Sequence, residues 1–129
     1  GIRGNTWLAF TREPKRKMPL DGAWVASPDY LTPGHDVSLP GVADAKLFTR
    51  SFDLPADFAG SQVYVKMTAG RGITGLLVNG RYVRRHHHAL GDTTFLNLTP
   101  WLKPGTSNRL DLLTGGGRCD IREVSLWVY

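Results

Sequence analysis

The dipeptide Asn79-Gly80 constrains this chain more than any other feature. It separates two β-rich runs, Gly75-Leu76-Leu77-Val78 and Arg81-Tyr82-Val83, by two residues that tolerate positive φ. Such a pair predicts a two-residue type I′ hairpin, and a hairpin commits its flanks to an antiparallel sheet. The rest of the chain agrees. Val63, Val65 and Met67 alternate with Gln62, Tyr64 and Lys66, while Val124, Leu126 and Val128 alternate with Glu123, Ser125, Trp127 and Tyr129. Period-2 alternation gives each strand one buried and one outward face.

Further strands are predicted at Trp7-Leu8-Ala9-Phe10, near Trp24-Val25-Ala26, and over Leu47–Leu54, Thr93–Leu98 and Arg109–Leu113. Pro55 ends the strand before it because it lacks the amide a ladder needs. Phe48, Phe52 and Leu54 share a face with Arg50, so that cation is expected at a sandwich edge or with a partner. Between Pro19 and Gly41 the density of Pro, Gly, Asp and Ser predicts irregular loop around one short strand. Ala69-Gly70-Arg71-Gly72 is expected as a loop and Gly115-Gly116-Gly117 as a flexible turn. Thr99-Pro100 is expected as an N-cap followed by Pro at the first helical position, opening one short turn. Roughly eight strands without a helical crossover predict an all-β antiparallel sandwich. One domain over residues 1–129 is expected.

Composition narrows the function classes. At 129 residues and 41% hydrophobic content the chain can bury a core without staples, and the single cysteine, Cys119, excludes an intrachain disulfide. No apolar run approaches the roughly 18 residues of a membrane-spanning helix, and no membrane partner is expected. Gly1-Ile2-Arg3-Gly4 does not resemble a signal peptide and there is no initiator methionine, so a processed chain or a piece of a longer polypeptide is expected. Sixteen Lys and Arg against 11 Asp and Glu give a net charge of +5, which favours anionic partners. Nucleic acid is disfavoured among them, because neither a recognition helix nor an aromatic platform accompanies the charge.

Five ordered pieces then carry a resemblance. They are Leu47-Phe48-Thr49-Arg50-Ser51-Phe52-Asp53-Leu54-Pro55, Gly60-Ser61-Gln62-Val63, Val78-Asn79-Gly80-Arg81-Tyr82-Val83, Leu98-Thr99-Pro100-Trp101-Leu102-Lys103-Pro104-Gly105 and Asn108-Arg109-Leu110. Together they resemble the sugar-binding, galactose-binding-like jelly-roll domain of glycoside hydrolase family 2. Related domains occur in family 35 β-galactosidases and in sialate O-acetylesterases. The resemblance covers about Leu20 to Tyr129. It implies a jelly-roll sandwich that accompanies a catalytic domain, with carbohydrate as partner. A secreted or periplasmic location is the favoured expectation.

Autonomous catalysis is not expected. Glycoside hydrolysis needs two carboxyl groups about 5–10 Å apart across a cleft, and the carboxylates Asp21, Asp29, Asp36, Asp53 and Asp57 fall at strand ends and turns. A sugar site combines an aromatic wall with a few placed polar groups. Tyr82, Arg84, Arg85, His86, His87 and His88 lie in one loop-proximal segment and are the candidate ligand-binding residues; the two arginines suggest an acidic glycan. The histidines alternate faces in an extended run, and only Asp92 stands near as a further ligand, so a binding loop is preferred to a metal site. No cofactor is expected; a structural calcium is the one left open. Trp127 and Tyr129, opposite the Val124-Leu126-Val128 face, are expected to cover a second core or meet a neighbouring domain. The alternative to sugar binding is a structural sandwich that packs against a catalytic domain.

Overall fold

The computed structural model describes residues 11–71, 73–85 and 93–129. The strand predicted at Trp7–Phe10 lies outside them. Eleven strands are described: β1 (Arg16–Pro19), β2 (Gly22–Ser27), β3 (His35–Leu39), β4 (Gly41–Asp44), β5 (Leu47–Asp53), β6 (Val63–Arg71), β7 (Ile73–Val78), β8 (Arg81–Arg85), β9 (Thr93–Asn97), β10 (Ser107–Thr114) and β11 (Arg118–Val128). They form two antiparallel sheets. One runs β3-β2-β5-β10-β7-β8; the other runs β1-β11-β6-β9, with β4 also paired to β11. The predicted all-β sandwich is therefore the fold.

The core fills the space between the sheets. Phe48, Leu76, Leu110 and Leu112 come from the six-stranded sheet; Val65, Met67, Ile121 and Leu126 face them from the other. These are the inward positions of the period-2 patterns, as alternation requires. Full burial of each such side chain stabilises by about 1.5–3 kcal/mol.

The largest departure from expectation is the segment from Pro19 to Gly41. It is mostly strand rather than loop, and its strands sit at or near the sheet margins, with β3 and β1 as edges. Only Leu20, Trp24, Ala26 and Leu39 reach the core there, while most other side chains are exposed. An edge strand has one neighbour and an open side, so it keeps polar residues that mimic loop composition. Ala69 to Arg71 likewise continues β6 instead of looping, its register against β11 shifting twice between Asp120 and Glu123. Such shifts let a glycine-containing strand stay paired.

Arg50 is not at a sheet edge, since β5 lies between β2 and β10; it takes the other expected course and finds a partner. Its Nη1 donates to the Ala23 carbonyl at 2.9 Å, and its Nε is buried without a partner among the described residues. Thr99 is not an N-cap. Leu98 occupies that position, and Thr99 opens the 3₁₀ turn Thr99–Trp101. Its hydroxyl instead accepts the Val63 amide at 2.8 Å and donates to Asn97 Oδ1 at 2.6 Å, so the side chain ties β6 to the end of β9.

The predicted hairpin forms, with φ of 52° at Asn79 and 82° at Gly80. Asn79 does more than turn the chain. Its Oδ1 accepts the Arg109 amide at 2.9 Å, and its Nδ2 donates to the Trp101 carbonyl at 2.8 Å and to Asn108 Oδ1 at 2.9 Å. Asn108, only 2% exposed, also accepts the Lys103 amide and donates to the carbonyls of Lys103 and Thr106. One junction centred on the buried Asn108 thus joins the hairpin, the 3₁₀ turn, the following loop and β10.

Asn79→Gly keeps the backbone conformation and deletes these side-chain bonds. Denaturant unfolding is expected to show a loss of about 1–3 kcal/mol, since three side-chain hydrogen bonds, two of them part-buried, are lost together. No loss would mean that only the turn conformation matters at position 79.

Candidate functional site

The outer face of the six-stranded sheet carries one continuous row across its strands. Asp36 pairs with Val25, Val25 with Thr49, Thr49 with Asp111, Asp111 with Leu77, and Leu77 with Tyr82. Leu76 and Val78 are fully buried in the core, so Leu77 between them points outward; Leu110 and Leu112 fix Asp111 outward in the same way. Tyr82, on the edge strand β8, is 59% exposed at the end of this row. It therefore presents an amphipathic aromatic to solvent beside the half-buried Leu77.

The charged group in the row is unusual for a solvent face. Asp111 is almost fully buried there, because its neighbours close over it. The Thr49 hydroxyl donates to its Oδ1 at 2.7 Å, and Arg109 Nε donates to its Oδ2 at 3.2 Å. Arg109 stands two residues before Asp111 on the same strand and so on the same face. Its side chain remains 52% exposed against 7% for Asp111. Its backbone is clamped from both sides, donating to Asn79 Oδ1 and accepting from the Asn79 amide.

Of the six candidate residues, the structure describes the side chain of Tyr82 alone. The backbone register places Arg84 opposite Leu76 and Arg85 opposite Gly75, on the strand of Tyr82. His86, His87 and His88 lie outside the described residues. Among the described residues no three His, Cys, Asp or Glu side chains gather as a metal site would need. Cys119 is buried, and that burial pushes its thiol pKa up. Arg109, Asp111 and Thr49 were not among the residues the sequence pointed to as a site. The legible signal was Arg109-Leu110-Asp111-Leu112, which sets two opposite charges on one face of a strand whose other face is core.

The opposite outer face is aromatic, as the position of Trp127 and Tyr129 foreshadowed. Tyr64 stacks on Phe95 with centroids 4.8 Å apart, and Tyr129 meets Tyr64 edge-on at 5.6 Å. Lys17 and Lys66 place their ammonium groups 4.3 Å and 4.9 Å from the Trp127 ring. Such cation–π contacts occupy the indole face that a sugar would stack upon. The Tyr129 hydroxyl donates to the Arg12 carbonyl at 3.2 Å, and burial raises its pKa.

A third exposed feature is the loop between β2 and β3. Asp29 accepts the amides of Leu31 and Thr32 and the Thr32 hydroxyl, at 2.7–2.9 Å. These bonds favour the ionised carboxylate, backbone amides first, and lower its pKa. Tyr30 and Leu31 stand out from this closed turn, Leu31 at 96% exposure.

No protein-family model matches the sequence, and no curated protein sequence matches it. Solved structures do. The β-D-glucuronidase of Dictyoglomus thermophilum aligns over 91% of this chain and 28% of its own, with TM-score 0.72 and 11% identity. A Lactobacillus rhamnosus β-glucuronidase aligns over 92% and 29%, with TM-score 0.71 and 15% identity. A glycosyl hydrolase family 2 member from Bacteroides cellulosilyticus aligns over 88% and 20%, with TM-score 0.69 and 16% identity. The chain thus has the fold of a sandwich region of family 2 glycoside hydrolases, and it spans less than a third of each of these three.

The environment of Asp111 yields a stability prediction. Arg109→Ala leaves a buried carboxylate without its cation, whereas Asp111→Val removes the charge itself. Thermal unfolding is expected to show the larger loss for Arg109→Ala, because an uncompensated buried charge costs more than an apolar replacement of the group. The reverse order would mean that the carboxylate is solvated.

Proposed function

We propose that the chain is a non-catalytic carbohydrate-binding module, part of or derived from a glycoside hydrolase or carbohydrate esterase polypeptide. Acidic glycans are its ligand class. The ligand meets the outer face of the six-stranded sheet at Tyr82, beside Arg84 and Arg85. The observation that carries this reading is the exposed Tyr82 at the end of an ordered cross-strand row, next to an apolar Leu77, with the half-exposed Arg109 two residues along β10 from the Asp111 of that row. An aromatic surface with a few fixed polar groups is what a pyranose ring requires. The fold likeness to portions of β-glucuronidases supports a carbohydrate context, and the net charge of +5 supports an acidic ligand. A secreted or periplasmic setting suits such a ligand.

The alternative is a structural sandwich that packs against a catalytic domain of the same polypeptide. The Tyr30-Leu31 tip favours it, because a preorganised, exposed apolar pair is the form of a docking anchor.

A panel of neutral and acidic glycans on affinity gels separates the two. Retardation by an acidic glycan is expected, weakened by Tyr82→Ala and by Arg84→Ala/Arg85→Ala, and kept by Trp127→Ala. Wild-type chain that passes every gel unretarded would leave the structural alternative.

A further inference from the structure

The glycan-binding reading leaves open which group on the chain recognises the acid. The geometry points to Arg109 as a carboxylate-binding fork, the subsite for a uronic acid residue of the ligand; this rests on the reading proposed above. A guanidinium has two two-donor edges, one through Nε and one formed by the two Nη groups. In Arg109 the Nε is committed to Asp111, which is itself held by Thr49. The Nη groups take no protein partner among the described residues, and the side chain is half exposed. The Nη edge therefore remains for a bidentate carboxylate, the geometry in which arginine surpasses lysine.

Two features fix this fork in advance of binding, and a third leaves it accessible. The buried Asp111 carboxylate anchors it from below. The Asn79 clamp holds the Arg109 backbone at 2.9 Å in both directions. Gly80 puts no side chain beside Nη2: even an added Cβ would lie 3.8 Å from it, so the approach from the hairpin stays open. Fixing a long cation before binding removes much of the ordering cost that a free surface arginine would incur. The exposed Tyr82 follows Gly80 by two residues and shares the outer face through Leu77 and Asp111. A sugar ring on Tyr82 would thus carry an attached carboxylate across this face toward Arg109, two residues along β10 from the row. The Asp111 charge is offset by the guanidinium it already binds, and its two oxygens face Thr49 and Nε rather than the Nη edge.

The test is calorimetric titration of the whole chain with a galacturonate trimer and with the uncharged galactose trimer. Arg109→Lys is the main variant, because it keeps a cation beside Asp111 and preserves net charge while it removes the fork. Its melting temperature is compared with wild type as a folding control. The expected result is tighter binding of the galacturonate trimer by wild type and a roughly tenfold loss in Arg109→Lys, with galactose trimer binding unchanged. Equal binding of both trimers, or undiminished galacturonate binding in Arg109→Lys, would overturn the fork and leave the glycan-binding reading standing. Galacturonate binding that falls only in Arg84→Ala/Arg85→Ala would overturn it too, and would move acid recognition to β8. Failure of wild type to bind any glycan, in this titration and on the affinity gels, would overturn both.

Discussion

The side chains of Asn79 and Asn108 hold together parts of the molecule that are far apart in sequence. Asn108 satisfies all its hydrogen-bonding capacity while buried, and Asn79 does the same work from a left-handed turn. Around them meet the β7–β8 hairpin, the 3₁₀ turn that follows β9, the loop from Lys103 to Thr106, and the start of β10. A polar group as buried as Asn108 is favourable only when every donor and acceptor is met. That requirement fixes the hairpin against β10, and with it the orientation of Arg109 and the position of Tyr82. The proposed binding face is therefore a consequence of the junction.

The central strands were legible in sequence for a simple reason. β6, β7, β10 and the C-terminal half of β11 bury alternate residues between two sheets, and their Val, Leu and Met spacing records it. The Asn-Gly turn was legible because few residues accept two consecutive positive φ values. The margins were not. β1, β3 and β4 contribute few side chains to the core and carry Asp, Ser, Lys and Pro on open sides, so their composition is that of a loop. Thr99 misled for a related reason, since a Thr before Pro suits a cap as well as the long-range tie to Val63 that it makes.

The candidate site was legible only in part. Tyr82 announced itself as an aromatic beside a turn, and the structure leaves its side chain exposed there. Arg109 and Asp111 were hidden because period-2 reading takes outward residues in a core strand as ordinary surface. Whether a carboxylate on that face is solvated or roofed over depends on neighbours from β5 and β7, which sequence spacing along β10 does not contain. The aromatic face of the other sheet shows the converse. Trp127 was expected to cover a second core or meet a neighbouring domain, and the structure seats Lys17 and Lys66 against its ring.

Fold and function remain separate inferences for this chain. The likeness to family 2 enzymes concerns a portion of those proteins and establishes the sandwich. The proposed site lies on one face of one sheet. Amide chemical-shift mapping of the isotopically labelled chain during titration with an acidic oligosaccharide tests it most directly. The account predicts saturable shifts confined to residues 77–85 and 109–111, with the amides of Tyr64, Phe95 and Trp127 unmoved. Shifts centred on those three aromatics, or none at saturating ligand, would contradict it.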